Sequence, residues 1–261
     1  MSFKYGKDLK TSILIVTYDK DLEFLKYSLK SISKFCRLYN EVVVVIDDHE
    51  NDCVETKKYL ESIGQKYFIN KEAKHITRGY IRQQYIKLYS EKYFDEKTDF
   101  VCHLDSDNIF NELNSPDVFF KGCKPVIGMQ KWAEMPNNNF EESTNKTVGF
   151  DVDYNFMRRM PLVYPRCIFK ELREFIISSH GDITTFLNSM KKFSEYNVIG
   201  AYCYKFHKDS FYWVDVVEDE KEWNKFAVPC VQYSNREKSQ PHRYVDLSKK
   251  GNAIEQIFKK C

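Results

Sequence analysis

Two aspartates one residue apart, Asp105 and Asp107, sit in the segment FVCHLDSDNIF. The run Phe100 to Leu104 reads as a buried strand, which puts the pair on the turn that leaves it. Magnesium and manganese favour oxygen ligands and are often held by one or two carboxylates, with phosphate and water completing the shell. A reaction that expels a diphosphate must stabilise charge developing on the leaving oxygens, and a bridging divalent ion does this as a Lewis acid. Asp107 is the expected direct ligand. Asp105 is expected at metal, water or ribose, and Ser106 between them belongs to the same donor site.

D-x-D is a weak pattern by itself, because solvated turns carry it too. DSDNIF is also similar to the nucleophile loop of the haloacid-dehalogenase phosphatases, where the first Asp attacks phosphorus. That loop usually lies near the start of its domain, whereas here strand and helix elements precede it. A calcium EF-hand fits poorly: Asn111 and Pro116 fall where its loop would not place them, and its Gly and final Glu are missing. A sugar nucleotidyltransferase lacks support because no Gly-rich phosphate loop follows the first strand.

Further polar groups join the aspartates by position. GYIRQQYIKL puts Arg82 and Gln83 near the start of a helix, where a guanidinium can pair with phosphate or hydrogen-bond a base. Asp47 or Asp48, ending VVVVIDD, can accept a base imide N–H, and Thr17 with Tyr18 can contact uracil or ribose. Without the downstream aspartates the helix residues read better as a solvated face, and as isolated residues the others read only as caps or turns. Arg158, Arg159 and Arg166 can position phosphate or acceptor. Trp132, Trp213 and Trp223 can stack on sugars, with core packing as the default.

The elements that must position these groups alternate in type. Ile13 to Val16 reads as a strand, and Leu22, Leu25, Leu29 and Ile32 then fall on one helical face. Val42 to Ile46 reads as a central strand buried on both faces, and Tyr67 to Ile69 as a short one. A helix is expected from about Gly79 to Tyr93, a strand at Phe100 to Leu104, a long helical region at Ile168 to Phe193 and a strand at Phe211 to Val216. The polar stretch EMPNNNFEESTNKTVGFDVDYN reads as a long loop and candidate lid. The pattern predicts an α/β fold with a largely parallel sheet, whose ligands bind beyond the strands' carboxyl ends. Thr17, Asp47 and Asp105 all fall there.

The chain has 261 residues, 43% hydrophobic and 16% aromatic, with 40 basic and 38 acidic side chains for a formal net charge of +2. This excludes a disordered chain and gives no electrostatic footprint for nucleic acid. One domain over 1–261 is expected. No apolar signal core or transmembrane segment stands out, which points to a cytoplasmic protein, soluble or peripheral to a membrane. Eight scattered cysteines without a CxxC pair point to free thiols in a reducing compartment.

Taken in order, TSILIVTY, VVVVIDD, GYIRQQYIKL, FVCHLDSDNIF and FSEYNVIGAY resemble the GT-A superfamily of nucleotide-sugar-dependent, DxD-type glycosyltransferases. Within it the likeness is to bacterial and giant-virus polysaccharide enzymes with RQQ-x-x-K-L, D-x-D and F-S-E-Y segments. The resemblance covers about Ser12 to Phe211. It implies a GT-A (Rossmann-like) fold, with a nucleotide-sugar-binding half at about 12–110 and an acceptor-binding, catalytic half at about 111–261. It also implies a nucleotide-sugar donor, usually UDP-linked, Mn²⁺ or Mg²⁺ held by the aspartates, and transfer to a glycan or glycoconjugate hydroxyl. By similarity Glu195 is the candidate base of an inverting transfer, with Asp182 in reserve, and His242 the further metal ligand supplied from near the C-terminus. The readings kept beside this one are the phosphatase and a non-catalytic carbohydrate-binding protein on the same fold.

Overall fold

Residues 9–48, 53–136, 139–234 and 243–259 are described by the structure, a computed structural model. Their strands and helices, in chain order, are β1 (Thr11–Thr17), α1 (Leu22–Phe35), β2 (Tyr39–Asp47), α2 (Val54–Ser62), β3 (Tyr67–Asn70), α3 (Gly79–Leu88), β4 (Phe100–Asp105) and β5 (Asn108–Phe110). There follow β6 (Phe120–Lys121), β7 (Lys124–Lys131), α4 (Glu141–Val148), β8 (Tyr154–Asn155), β9 (Leu162–Pro165), α5 (Cys167–His180) and α6 (Ile183–Ser189). The last are α7 (Glu195–Phe206), β10 (Tyr212–Asp215), α8 (Glu220–Trp223), β11 (Cys230–Gln232) and α9 (Ala253–Lys259).

The apolar runs read as buried strands form the centre of a five-stranded sheet in the order β3-β2-β1-β4-β9, parallel except for β9. Because successive side chains on a strand point to opposite faces, each central strand feeds two cores. Leu14, Val16, Val43, Val45 and Val101 pack with α3, α5 and α7, while Ile13, Ile15, Val44, Ile46, Cys102 and Leu104 pack with α1 and α2. The result is a three-layer α/β/α arrangement, as the alternation of elements predicts.

The order of strands explains where a ligand can enter. The chain runs from β1 to β2 to β3 with α1 and α2 on one face, then crosses back to lay β4 on the other side of β1. Right-handed crossovers put the helix of that reversed step, α3, on the opposite face. The connections leaving β1 and β4 therefore diverge, and a crevice opens at their carboxyl ends. A smaller sheet, β10-β7-β6 with β8 against β7, and a two-stranded pair, β11-β5, complete the fold.

Three expected elements differ. The helix from Gly79 stops at Leu88 and is followed by a 3₁₀ turn, Ser90–Tyr93. The expected helix at 168–193 is two helices, because Gly181 at φ 77° ends α5 and Asp182 caps α6. The polar stretch after Lys131 is not an open loop: α4 occupies its middle with Thr144, Thr147 and Val148 buried. No helix among the described residues is long and apolar enough to cross a membrane, and the seven described cysteines, all but Cys261, form no disulfide with one another.

Candidate active site

The crevice between the ends of β1 and β4 continues into a cleft of about 660 Å³, a volume typical of small-molecule sites. From β1 and the turn after it come Tyr18, Lys20 and Asp21, and from β2 Asp47. Helix α3 contributes Tyr80, Arg82, Gln83, Gln84 and Lys87, and the turn after β4 adds Asp105, Ser106 and Asp107. Phe140, Met157, Ser194, Glu195, Tyr196 and Gln232 close the far wall. Both halves of the chain thus meet at one site.

The turn carrying the aspartates is held from three directions. Asp105 N–H donates to Asn108 Oδ1 at 3.2 Å, and Ser106 Oγ donates to Asp21 Oδ2 at 3.2 Å. Beyond the turn β5 pairs with β11, with Asn108 opposite Gln232. That register sets the Gln232 amide nitrogen 3.2 and 3.4 Å from the two carboxylate oxygens of Asp107. Arg243 in turn donates to Gln232 Oε1 at 2.5 Å. Burial first, then the nearby charge of Asp105, with Asp21 adding to it, pushes the Asp107 carboxyl up to about 7 against the pull of Gln232.

Lys87, the lysine of the RQQ-x-x-K-L segment, is the hub of the deep end. Only 6% of its side chain is exposed, and its ammonium lies 2.6 Å from Asp105 Oδ1, 2.8 Å from the Tyr196 hydroxyl and 2.9 Å from Glu195 Oε1. Burial works against its charge, but Asp105 and Glu195 outweigh it and hold the ammonium protonated. Glu195 is 3% exposed. Burial raises its carboxyl above the usual range, with Asp105 adding to the rise and Lys87 opposing it.

One local cap and two long-range contacts explain why Glu195 stands there. Ser194 caps α7 by accepting from Asn197 N–H at 3.3 Å, and Gln84 Oε1 accepts from Glu195 N–H at 3.0 Å. Asn197 Oδ1 accepts from Phe156 N–H at 2.8 Å. The FSEYN and RQQ segments are therefore two halves of one joint. Gln84 is an amide of the RQQ segment, but its partner lies far along the chain and a glutamine on a helix gives no signal of what it will meet.

Other expected site residues are placed as follows. Arg82 and Asp47 both line the cleft but bind each other: Arg82 Nε donates to the two Asp47 oxygens at 3.0 and 3.2 Å, and Nη1 to Ile76 O at 3.3 Å. Tyr18 and Gln83 line the cleft; Thr17 is fully buried outside its lining and donates to Tyr18 O at 3.4 Å. Asp48 points away from the cleft. It pairs with Lys57 and accepts from Cys53 N–H at 3.3 Å; burial would raise its carboxyl, but these partners hold it low. Asp182 lies outside the cleft and caps α6, accepting from Thr185 N–H and Oγ1 at 2.8 and 2.7 Å. It is therefore not brought to the site as a reserve base. His242 lies outside the described residues. None of the three named arginines and three tryptophans lines the cleft: Arg159 binds the carbonyls of Phe226 and Val126, and Trp132 is buried.

The donor set suits a hard divalent ion. Asp105 and Asp107 supply two carboxylates on one turn, although no group of three His, Cys, Asp or Glu metal-ligating side chains occurs among the described residues. Two carboxylates suffice where phosphate and water complete the shell. The cleft lining carries five carboxylates, Asp21, Asp47, Asp105, Asp107 and Glu195, against Lys20, Arg82 and Lys87. An anionic diphosphate would meet repulsion there unless a cation accompanied it, and a cation would also relieve the crowding that raises Asp107.

A sequence profile of DUF6492, described as a family of unknown function, matches residues 5–226. The chain belongs to the DUF6492 family. No curated protein matches it. Among solved structures, this DUF6492 member is similar to galactosyltransferase LgtC in complex with donor and acceptor sugar analogs, at 14% identity and TM-score 0.57 over 95% of this chain and 94% of that one. An active-site mutant of LgtC matches at 13% identity with the same TM-score of 0.57 over 95% and 94%. A 4-diphosphocytidyl-2C-methyl-D-erythritol synthase from Anaerococcus prevotii aligns at 15% identity over 79% and 87%, with a TM-score of 0.43. The LgtC likeness is one of fold, and the DUF6492 chain has the GT-A glycosyltransferase fold.

Proposed function

We propose that this chain transfers a sugar from a nucleotide diphosphate donor, UDP-linked in the simplest case, to a hydroxyl of a glycan or glycoconjugate. The observation that carries the reading is the placement of Asp105 and Asp107 together at the switch point of a GT-A sheet, inside a cleft that also holds Lys87 and Glu195. Asp105 and Asp107 hold Mn²⁺ or Mg²⁺, which when bound neutralises charge on the departing diphosphate. The 12–110 half grips the donor, and the 111–261 half presents the acceptor and the base.

Glu195 is the carboxylate best suited to take the acceptor hydroxyl's proton in an inverting transfer. It lines the cleft, and its raised carboxyl moves toward the range in which general bases work best. Gln84 and Ser194 fix the turn of helix that presents it. Arg82, locked to Asp47, forms a rigid wall beside the donor rather than a free phosphate clamp.

Transfer assays with Mn²⁺ and a panel of UDP, GDP, CMP and dTDP sugars test the reading. Asp107→Ala is expected to lower kcat by about 100-fold or more, as loss of a group that stabilises leaving charge does, and to weaken Mn²⁺-dependent UDP binding. Full wild-type activity in excess chelator would overturn the metal role. Release of phosphate from simple phosphomonoesters would favour the phosphatase, and glycan binding without turnover of any donor would favour the carbohydrate-binding protein.

A further inference from the structure

The Lys87 ammonium has three N–H groups and three oxygen neighbours: Asp105 Oδ1 at 2.6 Å, Tyr196 OH at 2.8 Å and Glu195 Oε1 at 2.9 Å. It donates to Asp105 Oδ1 and Tyr196 OH and is ion-paired with Glu195, so its single charge is already shared between two carboxylates. The side chains of Lys87 and Glu195 are 6% and 3% exposed, so solvent and salt screen their pairing little. Against that one ammonium this end of the cleft sets two carboxylates, Asp105 and Glu195, and so carries a surplus of negative charge and of acceptor lone pairs. The other cations of the lining stand elsewhere: Arg82 is engaged with Asp47 and the Ile76 carbonyl, and Lys20 belongs to the turn after β1.

Resting on the donor reading of this cleft, we infer that the transferred sugar is a neutral polyol and not a sugar acid. A diphosphate at Asp105 and Asp107 brings its sugar beside Glu195 and Tyr196. Sugar hydroxyls donate well to fixed carboxylates, and such charge-assisted bonds are the stronger kind. A uronate would set its own carboxylate against Asp105 and Glu195, which already outnumber the one ammonium standing between them among the described residues, and like charges so placed are strongly disfavoured. Lys87 is a positioning residue in this scheme: it holds two acidic side chains near each other and keeps them facing the sugar as acceptors.

Binding of matched donors that differ only at the terminal carbon tests this. The pairs are UDP-glucose with UDP-glucuronate, UDP-galactose with UDP-galacturonate, and GDP-mannose with GDP-mannuronate, each titrated calorimetrically with Mn²⁺ beside free UDP and GDP. In any pair whose base is accepted, the neutral sugar is expected to bind about tenfold or more tighter than the uronate. Glu195→Gln, which replaces one carboxylate by an amide with N–H groups, should shrink that ratio to about threefold or less. Equal or tighter binding of the uronate overturns the inference, as does an undiminished ratio in Glu195→Gln. Neutral donors that bind no better than bare UDP or GDP overturn it as well, while leaving the diphosphate site standing. Failure of every nucleotide to bind overturns the donor reading and this inference together.

Discussion

Asp107 shows how a functional group destabilises its own fold. Its carboxyl is raised to about 7 by burial and by Asp105 and Asp21. A raised carboxyl favours the protonated folded state, so its stabilising contribution is complete below the unfolded value and is lost as pH rises through about 7. In chelator the protein should therefore melt lower at pH 8 than at pH 6. Asp107→Asn should raise the pH 8 melting temperature by a few degrees, measured by scanning calorimetry, and an unchanged value would count against crowding at this position. Lys87→Met should do the reverse. Removing one partner of a buried ion pair costs about 3–5 kcal/mol, and here it leaves Asp105 and Glu195 uncompensated; urea unfolding reads the loss.

At the scale of elements, α7 is the piece whose placement decides the site, and its first turn is fixed by contacts rather than by propensity. Ser194→Ala removes the cap and should cost about 1 kcal/mol, with a larger effect on transfer than on stability because Glu195 is the next residue. Gly200 tests the packing of the same helix. A Cβ there would overlap the Phe156 ring, so Gly200→Ala should destabilise by about 1–3 kcal/mol through overpacking. Denaturant midpoints check both, and a neutral Gly200→Ala would mean that Phe156 can move aside freely.

For the molecule as a whole, the C-terminal segment completes a site begun far upstream. β11 places Gln232 on Asp107, and α9 then packs on α1 through Ile254, Phe24, Ile109 and Val245. Ile254→Ala should cost about 2–5 kcal/mol, as buried isoleucine truncations do, and loosen the segment that reaches Asp107. A bound donor with Mn²⁺ should stabilise the whole fold by mass action, about 2.7 kcal/mol at 100 times the dissociation constant. A thermal shift with nucleotide only when Mn²⁺ is present would be its signature.

The fold was largely legible in the residues themselves. Ile13 to Val16 and Val42 to Ile46 are apolar on both parities and Phe100 to Leu104 nearly so, with His103 the one polar residue, as a central strand buried on both faces requires, and the DSD turn follows the last of them. Helix bounds were less legible, because Gly181 can continue, bend or end a helix until its neighbours pack. Chain order alone could determine that Thr17, Asp47 and Asp105 lie near strand ends and Arg82 near the start of a helix. It could not determine that Arg82 would be spent on Asp47, that Asp48 would turn to Lys57, or that Asp182 would only cap a helix. Lys87 marks the divide most clearly. In sequence it is the lysine of an RQQ-x-x-K-L segment with no partner in view, and only the packing of α3 against α7 and β4 puts its charge between two carboxylates. Periodicity is a local property that each segment carries within itself, whereas the partner of a charge is chosen by residues far away in the chain that folding brings alongside.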